Sequence, residues 1–140
     1  MVPCMMVLYD LMMLETQAGP ILIVTGTLTL LAAAAIVAPA AVLRAVFGST
    51  APDRVSRAVA RHWGLLVALF GALLVYAGYH PEVRAPVMLA AAIEKLGVAA
   101  IFGVALPRRP LLVAIIAGDA AMAIIYLVIL GASLQSLPAQ

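Results

Sequence analysis

Long runs of apolar residues constrain this chain more than any other feature. Residues 21–43 contain no charged residue, and the runs 63–79, 86–106 and 111–134 contain only Glu94, Lys95 and Asp119. An α-helix needs about 20 apolar residues to cross a hydrocarbon core of about 30 Å. The four runs therefore predict four transmembrane helices.

The composition excludes an ordinary soluble domain. Of the 140 residues, 66% are hydrophobic and 10% are charged, whereas soluble domains carry about 25% charged residues. Strands of a membrane β-barrel have about 10 residues of alternating polarity, but these runs are longer and apolar on every side. We therefore predict an all-α fold, an integral membrane four-helix transmembrane bundle.

The predicted membrane domain is a single unit covering residues 20–134, followed by a short tail at 135–140. Residues 1–19 are interpreted as a leader of doubtful structure, with Met12 or Met13 as alternative starts; no signal peptide is predicted, because a basic n-region and a cleavage site are missing. Pro20 suits the first turn of the first span. Pro39 should kink or end that span.

The arginines predict the orientation in the membrane. Short cytoplasmic loops are enriched in basic residues, and here the first and third loops share one side. They hold all but one of the arginines, namely Arg44, Arg54, Arg57, Arg61, Arg108 and Arg109, and the opposite side holds only Arg84. We therefore expect both loops in the cytoplasm and both termini opposite. The scarcity of lysine favours a GC-rich bacterium and its inner membrane.

Glycines in the second span predict close helix packing. Gly64, Gly71 and Gly78 recur every seven residues, so they form one smooth stripe that lets a neighbouring helix approach. Packing within the bundle is the preferred interpretation, and homo-oligomerisation is the alternative.

Three ionisable residues inside spans are the main candidates for a buried polar or ligand-binding site. Such residues are costly in lipid and are functional candidates by default. Glu94 and Lys95 lie in the third span, and Asp119 lies in the fourth. Counted from the hairpin between these spans, Lys95 and Asp119 differ in depth by about 4.5 Å, a gap that a lysine side chain can bridge. They are predicted to form an ion pair.

Glu94 points about 100° away from Lys95 on the helix. Its face carries Ala90, Ala91, Gly97 and Ile101, which suit packing against another helix. If Lys95 pairs with Asp119, Glu94 has no cationic partner and could carry a proton or bind a cationic ligand. The alternative is a structural triad of all three side chains that fixes helix register.

Secondary candidates are Tyr76, Tyr126 and His62. The two tyrosines could face the interior, although a core role or a place in the aromatic belt is preferred, and His62 is expected at an interface. Thr25, Thr27 and Thr29 are expected on different faces, bonded to their own backbone.

The remaining chemistry of the sequence is sparse. Cys4 is the only cysteine, and the sequence has no metal-ligand spacing, phosphate-binding loop or nucleophile elbow. We predict no metal and no cofactor, and the motifs do not indicate an enzyme. The basic residues follow the membrane loops, so nucleic acid is not an expected partner.

The organisation of the chain resembles the small four-helix bacterial membrane proteins of the DoxX-like families. The resemblance rests on four spans, a basic first loop, the stretch Arg61-His62-Trp63-Gly64 and the pair Glu94-Lys95. It implies a helical membrane protein, and some members of the group are linked to quinone or thiol redox systems. No catalytic residue of that group matches a position in this sequence.

Three functions follow as hypotheses. The first is a non-catalytic accessory or assembly subunit, in a homo-oligomer or a larger membrane complex with lipid as its surroundings. The second is a small proton-linked transporter that uses Glu94. The third, which the DoxX-like resemblance implies, is a membrane-embedded redox or lipid-related enzyme. The sequence favours the first.

Overall fold

The structure, a computed structural model, describes residues 2–105 and 109–135 and is helical almost throughout. The helices are α1 (Val2–Leu30), α2 (Ala34–Val37), α3 (Pro39–Val42), α4 (Arg54–Tyr79), α5 (Arg84–Ala105) and α6 (Pro110–Gln135). A 3₁₀ turn, Leu31–Ala33, joins α1 to α2, a π-helical segment, Leu43–Phe47, follows α3, and a second 3₁₀ turn, Pro81–Val83, precedes α5. In the described part of the chain no strand is present.

Four helical stretches are long and apolar enough to cross a membrane. These spans are Thr16–Val37, Arg54–Tyr79, Pro81–Val104 and Pro110–Ser133. They confirm the predicted all-α bundle with four transmembrane helices, and the chain is a multi-pass membrane protein. The first and second spans pack most extensively on each other, as do the third and fourth.

The two prolines of the first span have different effects on its helix. Pro20 lies inside α1, which begins at Val2, so the prediction that Pro20 occupies the first helical turn is wrong. Transmembrane helices tolerate such prolines because neighbouring groups satisfy the freed carbonyl. At the other end Ala38 leaves the helical conformation (φ −125°, ψ 56°) and Pro39 starts α3, which confirms the predicted break before Pro39.

Both ends of the second span are fixed by side chains. At its start the Ser56 amide donates to the Asp53 carboxylate (2.6 Å), as expected of an N-cap. At its end Arg84 donates to the Ala77 carbonyl (3.1 Å) and to the Gly78 carbonyl (2.8 Å). Arg84 thereby satisfies carbonyls that have no partner within the helix.

The glycine stripe of the second span packs against the first span, as predicted. A Cβ atom added at Gly71 would lie 2.8 Å from both the Gly26 carbonyl oxygen and the Leu30 nitrogen. One added at Gly78 would lie 3.0 Å from the Gly19 carbonyl oxygen. Gly64 meets the Ala32 carbonyl oxygen and the Ala35 Cβ in the same way. The two backbones are therefore in direct contact within one chain.

Three aromatic rings pack against one another at one end of the bundle. Phe47 lies edge-to-face against Phe102 of the third span (centroids 5.3 Å apart) and against Trp63 of the second (6.4 Å). Trp63 and Phe102 are also in contact, at 6.3 Å. Edge-to-face pairs of this kind favour one arrangement of the rings, so the cluster fixes the segment after α3 against two spans.

Candidate functional site

The centre of the candidate site is an ion pair between the third and fourth spans. The Lys95 Nζ donates to the Asp119 Oδ1 at 2.6 Å, and the side chains are 2% and 17% exposed. The contact confirms the predicted pair. It forms because the connection between these spans brings two helix positions of similar depth together, and because either charge alone would be costly in lipid.

Glu94 stands beside this pair without joining it. Its Oε2 atom is buried and has no hydrogen-bond partner among the described residues. The charges of Lys95 and Asp119 both act on it, but no ion pair between Glu94 and Lys95 forms in the described part of the chain. The arrangement is thus a closed pair with a carboxyl group next to it, and the hydrogen-bonded triad is not observed.

The predicted helix-packing face around Glu94 lies largely outside the bundle. Ile101 is exposed, and a Cβ atom added at Gly97 would meet nothing within 4 Å. Ala91 is the exception, because it is fully buried in the core. Glu94 therefore sits at the border between the interior of the bundle and its outer face.

Tyr126 supplies a second unsatisfied polar atom near the cluster. Its ring is fully buried in the core of the bundle, and its hydroxyl has no hydrogen-bond partner among the described residues. Thr25 lies close to that hydroxyl, but the Thr25 hydroxyl itself donates to the Ile21 carbonyl (2.8 Å). Glu94 and Asp119 both act electrostatically on Tyr126, so the four polar side chains belong to one region.

Two cavities reach toward this region from different levels of the bundle. One, of about 510 Å³, is mostly apolar and is walled in part by Trp63, Lys95 and Asp119. The other, of about 660 Å³, reaches inward as far as Met88 and Ile129.

A fully buried layer separates the two cavities. Between their inner ends, the third and fourth spans place four side chains that are almost completely excluded from solvent, namely Ala91, Ala92, Ala123 and Tyr126. The two cavities therefore lie at different levels, with buried core residues of these spans between them.

The other sequence candidates lie apart from the cluster. Tyr76 is half exposed and stacks on His80 with ring centroids 4.0 Å apart, so it faces outward as belt residues do. His62 is exposed and lies eight residues after Arg54, the first residue of the second span. Within the residues that the structure describes, no group of three or more His, Cys, Asp and Glu side chains could hold a metal ion.

The threonines of the first span require a correction. Each hydroxyl donates to its own helix, as predicted, from Thr25 to Ile21, from Thr27 to Ile23 and from Thr29 to Thr25. Thr25 and Thr29 nevertheless share a buried face, because residues four apart lie above one another on a helix. The prediction that the three occupy different faces holds only for Thr27, which is exposed.

Sequence reasoning missed the glycines of the first span that pack against the glycine stripe of the second span. Gly19 and Gly26 are also seven residues apart and meet Gly78 and Gly71. The shared seven-residue spacing was the available signal. The spacing is not apparent when Gly19-Pro20 is interpreted as the boundary of the first helix.

No protein-family model matches the chain, and no curated protein or solved structure is detectably similar to it. The resemblance to the DoxX-like families therefore stays a prediction.

Proposed function

We propose that the chain is a small proton-linked membrane carrier that exchanges a proton for a lipophilic cation at Glu94. The observation that carries this proposal is the unpartnered Glu94 oxygen beside a lysine that is already paired with Asp119. A buried carboxyl group without a neutralising partner is suited to accept either a proton or an organic cation.

The two cavities add support for this proposal. Lipophilic cations have apolar bodies, which suit the mostly apolar cavity of about 510 Å³ whose wall includes Asp119 and Lys95, the neighbour of Glu94 in the chain. The buried residues around Tyr126 lie between this cavity and the cavity at the other level. A carrier requires a barrier between its two sides, because an open passage would dissipate the gradient that drives it.

Transport in proteoliposomes tests the proposal. We expect vesicles containing the full chain to accumulate tetraphenylphosphonium when a pH gradient is imposed, and Glu94→Gln to abolish the accumulation. Glu82→Gln is the matched control, because Glu82 is exposed and its carboxylate pairs with His80 in the connection before α5. Full uptake by Glu94→Gln, or none by the unmodified chain, would contradict the proposal.

The accessory or assembly subunit is the second candidate. It is favoured by glycines of the third and fourth spans, because a Cβ atom added at Gly97, Gly103 or Gly131 would meet nothing within 4 Å. Open glycines of this kind allow a helix of a second copy or of another subunit to approach closely. Native mass measurement of the detergent-extracted protein tests this candidate, and a lone monomer with intrinsic transport activity would contradict it.

We also propose an orientation of the four spans in the membrane. We place the first and third loops in the cytoplasm and the four spans in a bacterial inner membrane, on the distribution of arginines described above.

A further inference from the structure

The break between the first and second spans borders a basic cavity that is open to the surface and that the carrier proposal does not use. Its volume is about 670 Å³, and four arginines line it, namely Arg44, Arg54, Arg57 and Arg61. The rest of its wall is made of small apolar residues, among them Pro39 and Ala58. None of the residues lining it is acidic.

Helix geometry explains how three of these arginines converge. Arg54, Arg57 and Arg61 are spaced three and four residues apart in α4, so they project from one side of that helix. Arg44 faces them from the π-helical segment across the break at Ala38. The positive-inside rule accounts for arginines in this loop, but it does not require four of them to surround one cavity.

The charges of this cavity are not balanced within the described part of the chain. None of the four arginines forms an ion pair there. Arg61 donates to the Ile36 carbonyl at 3.2 Å, which ties the second span to the broken first span. Asp53 acts on Arg57 electrostatically, but its carboxylate is engaged by the Ser56 amide.

The position of Arg54 adds a further cost. It is the first residue of α4, and the first turn of that helix has no acidic residue apart from the N-cap Asp53 that precedes it. Cations are unfavourable at a helix N-terminus, because the helix dipole is positive there. An anion held among the arginines would offset both this repulsion and the mutual repulsion of the four guanidinium groups.

We propose that this cavity binds the phosphate headgroup of an anionic phospholipid. Guanidinium groups are suited to phosphate oxygens, and basic pockets beside transmembrane helices are known to hold anionic headgroups. The membrane lipid is favoured over a free anion by Val37, an apolar side chain in the same wall that is 84% exposed. Val37 ends the first span and gives the first part of an acyl chain a surface to contact.

Native mass spectrometry of the full chain released from nanodiscs tests the proposal. We expect the protein to retain phosphatidylglycerol and to lose phosphatidylcholine. Arg44→Gln and Arg54→Gln should each weaken phosphatidylglycerol binding about fivefold, since one basic residue at a membrane surface contributes about that much. Arg54→Lys should keep most of the binding, because the charge remains.

Arg109→Gln is the matched control for charge. Arg109 lies against Gly48 near the same end of the bundle but does not line the cavity. We expect no change in phosphatidylglycerol binding from this variant. A loss of phosphatidylglycerol binding equal to that of Arg54→Gln would show a general effect of charge and contradict the proposed site.

Two further outcomes would also overturn the proposal. Equal retention of phosphatidylglycerol and phosphatidylcholine would remove the charge selectivity. Displacement of phosphatidylglycerol by inorganic phosphate at equal concentration would assign the cavity to a free anion instead of a lipid.

Discussion

Lys95 and Asp119 are joined at 2.6 Å between the third and fourth spans, with the lysine almost completely buried. This pairing determines the chemistry of the whole region. It neutralises the lysine that Glu94 would otherwise use, and one Glu94 oxygen is buried without a hydrogen bond to any residue that the structure describes. The two carboxyl groups of the cluster therefore differ in their bonding, and our proposal assigns the exchange of a proton for a cation to Glu94.

A double-mutant cycle tests the ion pair. Lys95→Met alone and Asp119→Asn alone should each destabilise the protein more than the double variant does, because each single change leaves its partner's polar group buried and unpaired. The coupling energy should lie between about 0.6 and about 1.7 kcal/mol, the average and the maximum measured for interhelical polar contacts in a membrane protein. Reversible unfolding in bicelles gives the values. A double variant at least as unstable as the sum of the singles would contradict the pair.

The contact between the first and second spans is tested at Gly71. Gly71→Ala should lower the free energy of unfolding by about 1–3 kcal/mol, since the new Cβ meets backbone atoms of Gly26 and Leu30 at 2.8 Å. Gly131→Ala is the control, because nothing lies within 4 Å of the added atom. The control should range from no change to a gain of about 1 kcal/mol from helix propensity. Equal effects at the two positions would show that the contact between the first and second spans is not close-packed.

The cap of the second span predicts a pH dependence. The Ser56 amide, which donates to Asp53, holds the pKa of that carboxyl below its usual range. The cap's stabilisation should be complete above about pH 3.9, the pKa of an unfolded aspartate. It should be lost as the pH falls through the lower pKa of the folded state. The protection factor of the Ser56 amide, which is its exchange rate relative to an unstructured peptide at the same pH, measures this effect.

Asp53→Asn is the control for the cap. Asparagine still accepts the Ser56 bond as an N-cap but does not titrate, so the protection factor of the Ser56 amide should lose its acid dependence. An unchanged acid dependence would show that another group is responsible.

Cysteine labelling tests the orientation. Cysteines placed at Ser56 and Arg109 should react with a reagent confined to the cytoplasmic side, and one placed at Ala139 should react only from the opposite side. A Cys4→Ala background removes the native thiol. The reverse pattern would contradict the argument from the arginines.

The sequence was sufficient for the spans and for the ion pair. The depth of Lys95 and Asp119 could be predicted because a short hairpin fixes the relative heights of two helices, although residues 106–108 of that hairpin lie outside the described part of the chain. The break before Pro39 and the cap at Asp53 follow from local chemistry. Such features depend on neighbours in the chain, so the sequence contains the information they need.

The sequence allowed Tyr126 a place in the core or in the aromatic belt, but it could not decide between the two. The fourth span is apolar on every side apart from Asp119, so no polar face distinguishes the lipid side from the interior. The sequence also could not predict that the four arginines converge on one cavity. Their convergence depends on the break at Ala38, which places Arg44 opposite α4. Both features are consequences of packing between distant segments.

The central claim is that Glu94 exchanges a proton for a cation, and proton release on binding tests it most directly. Tetraphenylphosphonium added to the purified chain in weakly buffered detergent solution should release about one proton per cation bound. Glu94→Gln should abolish both binding and release, whereas Glu82→Gln should leave both unchanged. Binding without proton release, or equal release from Glu94→Gln, would contradict the account.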